Sequence, residues 1–211
     1  MKMTRMLGGT VAFNQNIEMW ETSSVDDISY MFSRSSSFNQ PPGVGIPPQS
    51  RQCRVLPAAS FNQPLAVWDK SLVTDMKDMF FRARYFNQPI GSWNTSLVTV
   101  MCFMFQEAES FNQPIESWDV TSCLDIENMF AGASSFNQPL VQWDVSAVHL
   151  MNSIFANAVN FNQDISSWDV YNTTRIQRIF DGALSFNQPL STWDMSLATN
   201  TSRMFANTAF H

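Results

Sequence analysis

The sequence predicts an α/β solenoid built from 25-residue repeats, each with one short parallel strand and one helix. The triplet Phe-Asn-Gln begins eight times at steps of 25 residues, with one step of 23: Phe13, Phe38, Phe61, Phe86, Phe111, Phe136, Phe161 and Phe186. All seven tryptophans follow one of these phenylalanines by seven residues. One unit of this size buries too little apolar surface to fold alone, so stability must come from stacking the copies.

The second half of each repeat predicts the helix. Apolar residues recur there at steps of three and four, as in Val148, Met151, Ile154, Phe155 and Ala158, which is the spacing of one helical face. A hydroxyl residue precedes most of these runs, where an N-cap is expected: Ser71, Ser96, Thr121, Ser146 and Ser196. The first half, as in residues 64–68 or 114–118, is entered through Pro and predicts the short strand.

Two polar columns accompany the core. Asn follows every repeat phenylalanine, and in a stack these amides satisfy loop backbone groups of neighbouring copies. We expect this structural ladder to include Asn62, Asn87, Asn112, Asn137, Asn162 and Asn187. The second column holds Asp69, Asp119, Asp144, Asp169 and Asp194, with Asn94 and Glu21 as variants. We favour the interpretation that each of these side chains closes a turn by accepting a hydrogen bond from its local backbone. Calcium binding is the alternative.

Composition excludes several classes of function. The net charge of -6 and the pI near 4.7 repel a phosphate backbone, so no nucleic-acid partner is expected. Three cysteines, Cys53, Cys102 and Cys123, have neither zinc nor redox spacing. No transmembrane segment and no signal peptide stands out in this chain. With two histidines and no phosphate loop or nucleophile elbow, the sequence predicts no enzyme, no cofactor and no metal site.

Binding specificity in a stacked array is expected where the copies differ. The predicted helix varies most at three outward positions, and one copy is apolar where its neighbours are charged. The candidate binding residues are therefore Phe81, Val100, Cys102, Phe103 and Leu150, as an exposed patch suited to a partner. Lateral packing or drift in a degenerate copy is the alternative explanation of the same residues.

The repeat resembles that of BspA-like leucine-rich-repeat surface proteins, first described as a domain of unknown function in mycoplasma lipoproteins. The copy from Phe136 to Phe161 carries the pattern Phe-Asn-Gln-Pro-Leu, then Trp143, Asp144, Ser146 and the apolar run. The resemblance implies a leucine-rich-repeat-like α/β solenoid and an extracellular or cell-surface location. It also implies a role in adhesion or protein recognition, and it brings no catalytic residues.

Two departures from the pattern affect the domain organisation. The chain starts and stops within a repeat, so residues 1–211 are expected to form a single solenoid of eight repeats truncated at both ends, with Met3, Met6 and Leu7 in the first partial copy. Residues 41–60 form a degenerate segment in which the consensus is lost. A frameshift and a genuine Pro-rich loop both explain that segment, and either one makes it the weakest turn of the stack.

The leading functional hypothesis is a non-enzymatic surface protein that binds a protein or cell-surface ligand. The first alternative is a structural wall or sheath component that self-associates laterally. The second is a calcium- or glycan-binding module that uses the Asp column or the Trp rows.

Overall fold

The computed structural model describes residues 11–15, 37–40, 59–65 and 73–210. Successive 25-residue copies form coils that stack in parallel register. Equivalent residues of neighbouring coils are joined by single parallel β-bridges, which link Asp75, Val100, Asp125, Leu150, Arg175 and Asn200 in that order. Within the described ranges there is no helix and no strand longer than one such bridge residue.

The predicted helix in each repeat is therefore wrong, and the backbone hydrogen bonds give the reason. In the coil that begins at Phe86, the N–H groups of residues 104, 106 and 108 reach back only three residues, at 3.0–3.2 Å. The N–H groups of residues 101, 103, 105 and 107 instead donate to carbonyls of the next coil at 2.7–2.9 Å. Half of the donors that a helix would pair internally thus hold two coils together.

We call this part of each coil the ladder segment: residues 74–82, 99–107, 124–132, 149–157, 174–182 and 199–207. It is a run of overlapping turns, and two residues in each run have positive φ. In the coil from Phe111 these are Asn128 at 55° and Gly132 at 72°. A left-handed residue every fourth position cannot belong to an α-helix. Of the hydroxyl residues predicted as N-caps, the four that the structure describes cap no helix: Ser96, Thr121, Ser146 and Ser196.

The same turns account for the apolar spacing. A turn that closes every three residues places every third side chain in the interior. The residue directly after the last of these side chains is also buried, so the next interior position comes after a step of three or four. Val98, Met101, Met104, Phe105 and Ala108 are all fully buried. Steps of three and four therefore fit a chain of turns as well as they fit a helical face.

The predicted strand in the first half of each repeat is also wrong. In residues 114–118 the backbone makes a turn, with Trp118 N–H donating to the Ile115 carbonyl at 3.1 Å. Side chains connect the coils there instead. The Trp118 indole donates to the Ile90 carbonyl of the preceding coil at 3.1 Å, and Trp143, Trp168 and Trp193 repeat this bond at 3.0–3.1 Å.

Aromatic rings fill the interior between these two walls. Each repeat phenylalanine stacks on its equivalent in the next coil at 5.8–6.2 Å, from Phe13 to Phe186. Ring distances within the column on the ladder side, from Phe80 to Phe205, are 5.4–5.9 Å. Those in the Trp column are 6.2–6.3 Å. The coils therefore lie closest along the ladder segments and fan apart toward the tryptophans.

The Asn column joins every pair of neighbouring copies in the described ranges. The Oδ1 atom of each Asn accepts the backbone N–H of the next Asn at 2.8–3.0 Å and the Nε2 of the following Gln at 2.9–3.2 Å. The column includes Asn62, Asn87, Asn112, Asn137, Asn162 and Asn187 and extends back to Asn14. One oxygen thus satisfies two donors that the turn leaves without a local partner.

Several expectations concern residues outside the described ranges. These are the partial copy with Met3, Met6 and Leu7, the degenerate segment up to residue 58 with Cys53, the N-cap Ser71, Glu21 and Asp69 of the Asp column, and residues 66–68 of the predicted strand. Of the degenerate segment, Ala59 and Ser60 are described, and the Ala59 carbonyl accepts a bond from Tyr85 N–H at 3.3 Å.

Replacing Asn137 with alanine tests the ladder of amides. The change removes the oxygen that binds Asn162 N–H and Gln163 Nε2, and each partly buried donor left without a partner is expected to cost about 1–3 kcal/mol. Urea denaturation of the purified chain measures the loss in the free energy of unfolding. Asn160→Ala is the control because Asn160 is exposed, and its effect should stay within about 0.5 kcal/mol. Equal effects of the two changes would contradict the assigned role.

Candidate functional site

The outward side chains of the ladder segments form a continuous surface, which we call the ladder face. Between two ladder bonds the backbone is fixed by the neighbouring coil, so the side chains that point outward are free to differ between copies. At the bridge position alone the face presents carboxylates, aliphatic groups, a guanidinium and an amide: Asp75, Val100, Asp125, Leu150, Arg175 and Asn200. A fixed backbone that carries variable side chains is the arrangement expected of a recognition surface.

The predicted binding residues all lie in ladder segments, but they do not form one apolar patch. Val100 and Phe103 are half-buried on the same coil, and Phe81 is half-buried on the preceding one. Cys102 is only 2% exposed and is therefore closed to a partner. Leu150 lies two coils from Val100, since Asp125 bridges to both. The candidate site is thus reduced to Phe81, Val100 and Phe103.

Cationic side chains cover the two aromatic rings, and the sequence reasoning did not include them in the site. The Lys77 ammonium lies 5.4 Å from the centre of the Phe103 ring. The Arg82 guanidinium lies 4.8 Å from the centre of the Phe81 ring and also pairs with Glu107 at 3.0 Å. Cation–π pairs of this kind are worth roughly 0.5–1 kcal/mol at exposed sites. We call Lys77, Phe81, Arg82 and Phe103 the aromatic–cation cluster.

Phe103 has an unfavourable backbone conformation for its residue type. Its φ is 61°, in the left-handed region, where Asn, Asp and Gly are accommodated best. Equivalent positions in neighbouring coils hold Asp78 and Asn128. A large aromatic ring is therefore kept, half exposed, at a place where a smaller polar residue would be less strained. The same conformation recurs at the equivalent Arg178 and Arg203, so the repeat imposes it on each described coil and it does not by itself assign a role to Phe103.

The C-terminal part of the ladder face uses its polar groups internally. Asn152 donates to the Glu127 carboxylate and accepts Gln177 N–H at 3.2 Å, and Gln177 Oε1 accepts from Asn200 at 2.8 Å. These bonds run from coil to coil along the face.

The part of the Asp column that the structure describes lies in turns on the Trp side of the coils. Oδ1 of Asp119 and Oδ1 of Asp144 each accept the N–H two residues ahead at 3.0 Å, and Asn94 and Asp194 do the same at 2.9–3.1 Å. These bonds hold the pKa of Asp119 below its usual range, through the Thr121 hydroxyl and then its N–H. Among the residues described, no three His, Cys, Asp or Glu side chains converge as metal ligands.

The two described cysteines are buried thiols. Burial raises the pKa of Cys123 to about 12. Burial and the nearby Asp125 carboxylate raise the pKa of Cys102 still further. Since the thiolate is the reactive form, neither residue is suited to nucleophilic chemistry.

Asp181 is the most buried acidic group of the ladder face, at 5% exposure. It pairs with Arg178 at 3.0 Å and with Arg203 of the next coil at 3.1 Å. Burial alone raises the pKa of Asp181, but the hydrogen bonds and charges of Arg203 and then of Arg178 outweigh it. The pKa of this carboxyl therefore lies below its ordinary value of 3.8.

Acid should weaken the stack through this group. A carboxyl with a lowered pKa in the folded state stabilises the fold above its ordinary pKa, and that contribution is lost as the pH falls through the folded pKa. The free energy of unfolding is therefore expected to decline below about pH 4, and Asp181→Asn should reduce the slope. Unfolding in urea across this pH range measures it. In an Arg203→Met background the substitution should change the slope less; an equal change in both backgrounds would contradict the pairing.

A family model described as "Mycoplasma protein of unknown function, DUF285" matches residues 1–43, 54–157 and 136–211. These matches leave only residues 44–53 outside, and that stretch lies in the degenerate segment. No curated protein and no solved structure matches the chain. In the part of the chain that the structure describes, no helix is long and apolar enough to cross a membrane.

Proposed function

Since the chain belongs to the DUF285 family of mycoplasma-type repeat proteins, we propose that it is a non-enzymatic surface protein that mediates adhesion or protein recognition. The observation that carries this proposal is the ladder face. Its backbone is held by the bonds that build the stack, while its side chains differ from coil to coil. Kinship with BspA-like surface proteins, which the repeat resembles, is part of the same proposal.

The contact point that we favour is the aromatic–cation cluster. Half-exposed phenylalanines beside Lys and Arg offer apolar area and positive charge to a partner, and aromatic and Arg side chains dominate the binding energy of many protein interfaces. The face also lies on the side where the coils are closest, because the rings there are 5.4–5.9 Å apart against 6.2–6.3 Å in the Trp column. A partner on this inner side contacts several coils at once.

A non-enzymatic role agrees with how the titratable groups are used. The Asp side chains described above close turns or pair with Arg, and the Cys102 and Cys123 thiols are buried. His149 is exposed, and its Nδ1 lies 3.1 Å from the Asn172 carbonyl. A general base with an oriented partner and a nucleophile in reach is the minimum for hydrolytic chemistry, and these groups are dispersed over separate parts of the coils.

Replacing Phe103 with asparagine tests the proposal. Beads coated with the full chain are added to the cells that produce it, and attached beads are counted. Losing an anchoring ring worth about 1–2 kcal/mol should reduce attachment roughly fivefold or more. The melting temperature should hold or rise, because Asn occupies the equivalent left-handed position at Asn128.

Val141→Asn is the matched control. Val141 is an exposed apolar residue, at 46%, that lies outside the ladder face, so its replacement should leave attachment unchanged. The proposal fails if coated beads attach no better than beads coated with serum albumin. It also fails if the Phe103 and Val141 variants behave alike. Clumping of the beads with one another, lost in the Phe103 variant, would assign the cluster to self-association instead.

A further inference from the structure

Arginines make the C-terminal end of the ladder face positive. The last two ladder segments contain Arg175, Arg178 and Arg203 against a single acid, Asp181. Three positive charges against one negative charge leave a local excess of two, in a chain whose net charge is -6. All three arginines are exposed, so this excess faces the solvent.

Asp181 holds two of these guanidinium groups through one oxygen. Its Oδ2 atom accepts Arg178 Nε at 3.0 Å and Arg203 Nε at 3.1 Å, and Arg203 Nη2 lies 3.5 Å from Oδ1. Both Nη atoms of Arg178 and the Nη1 of Arg203 make no hydrogen bond with any residue that the structure describes. Asp181 is 5% exposed, whereas the two arginine side chains are 51% and 59% exposed. A buried acid thus holds two guanidinium groups together and leaves their terminal N–H groups open to solvent.

The stack does not require this arrangement. In the preceding coil, Ser153 and Ala156 occupy the places of Arg178 and Asp181. That coil still makes its ladder bonds, and the N–H of Ser153 itself donates to the next coil at 3.0 Å. Two guanidinium groups that share one carboxylate also leave one positive charge without a counter-charge. The second arginine is therefore available for a ligand.

The chemistry of the cluster suits a single carboxylate. The planar fork of a guanidinium group matches the two oxygens of an oxyanion. A long polyanion is disfavoured, because Asp125 and Glu127 lie on the ladder face two coils from Arg175, in a segment that has no basic residue. These carboxylates would repel a polyanion that followed the stack.

We infer that Arg178 and Arg203 form a binding site for one carboxylate of a protein partner, carried by an Asp or Glu side chain. The inference rests on the proposed function and adds a chemical feature of the partner. Phe103 and Arg178 occupy equivalent places three coils apart, and the rings beneath them advance by 5.7–5.9 Å per coil. The partner therefore presents an acidic side chain three such steps from the apolar group that contacts the aromatic–cation cluster.

Titration with sodium acetate tests the site without the partner, because acetate carries the same carboxylate group. The guanidinium signals of Arg178 and Arg203 are followed in the NMR spectrum of the isotope-labelled full chain while acetate replaces chloride at constant ionic strength. Both signals should shift along one saturable curve, with half-saturation at roughly 0.1 M, because a single exposed ion pair is weak. The absence of a saturable shift, or a shift with inorganic phosphate and none with acetate, would overturn the inference.

Arg178→Gln removes one of the two forks. The half-saturation concentration read from the Arg203 signal should rise at least fivefold. The fold should be retained because Arg203 and Asn207 still bind Asp181, and the melting temperature checks this. A curve equal to that of the parent chain would contradict the assigned pair.

Arg84→Gln is the matched control. Arg84 is also an exposed arginine, at 55%, and it pairs with Glu109 of the next coil at 3.3 Å. It lies outside the ladder face, so its replacement should leave the Arg203 curve unchanged. If both variants weaken acetate binding equally, the effect belongs to the overall charge of the chain and the site is refuted.

This titration and the adhesion test fail separately, since the titration uses no cells. If acetate binds but the coated beads do not attach, the carboxylate site stands and its assignment to an adhesion partner fails. If the beads attach but acetate does not bind, recognition by the ladder face stands and the carboxylate site is overturned.

Discussion

Every coil depends on its neighbour for half of its ladder hydrogen bonds. The overlapping turns satisfy alternate N–H groups within the coil and direct the others outward, as Met101, Phe103 and Phe105 do toward the coil from Phe111. A backbone N–H group buried without a hydrogen-bond partner destabilises the folded state by about as much as several favourable contacts stabilise it. The fold is therefore a property of the stack, and a single 25-residue unit has no stable conformation of its own.

Where the backbone makes no hydrogen bonds between coils, side chains make them. On the Trp side the indole nitrogens and the Asn column supply the bonds between coils that strands would otherwise make. The phenylalanine columns exclude water between the two walls. Because all of these groups repeat at the same places, the remaining positions of the ladder segments are free to vary. Recognition and stability are thus assigned to different residues of one coil.

The sequence period was sufficient to identify which residues meet, because residues 25 apart lie above one another. It was not sufficient to identify the backbone conformation. Steps of three and four fit both a helical face and a chain of turns. The prediction chose the helix and was wrong. Gly132, Gly182 and Asn157 were the overlooked signal, because they recur at one place inside the supposed helix and Gly is costly in a helix interior. Cys102, which the sequence placed on an outer surface, is only 2% exposed in the folded chain.

Hydrogen-bond scalar couplings in the NMR spectrum of the labelled full chain test this account most directly. The amide of Phe105 should couple to the carbonyl carbon of Met129 in the next coil, with which it forms a bond of 2.8 Å. Coupling of that amide to the carbonyl of Met101, four residues earlier in its own coil, would show a helix and contradict the stack of turns.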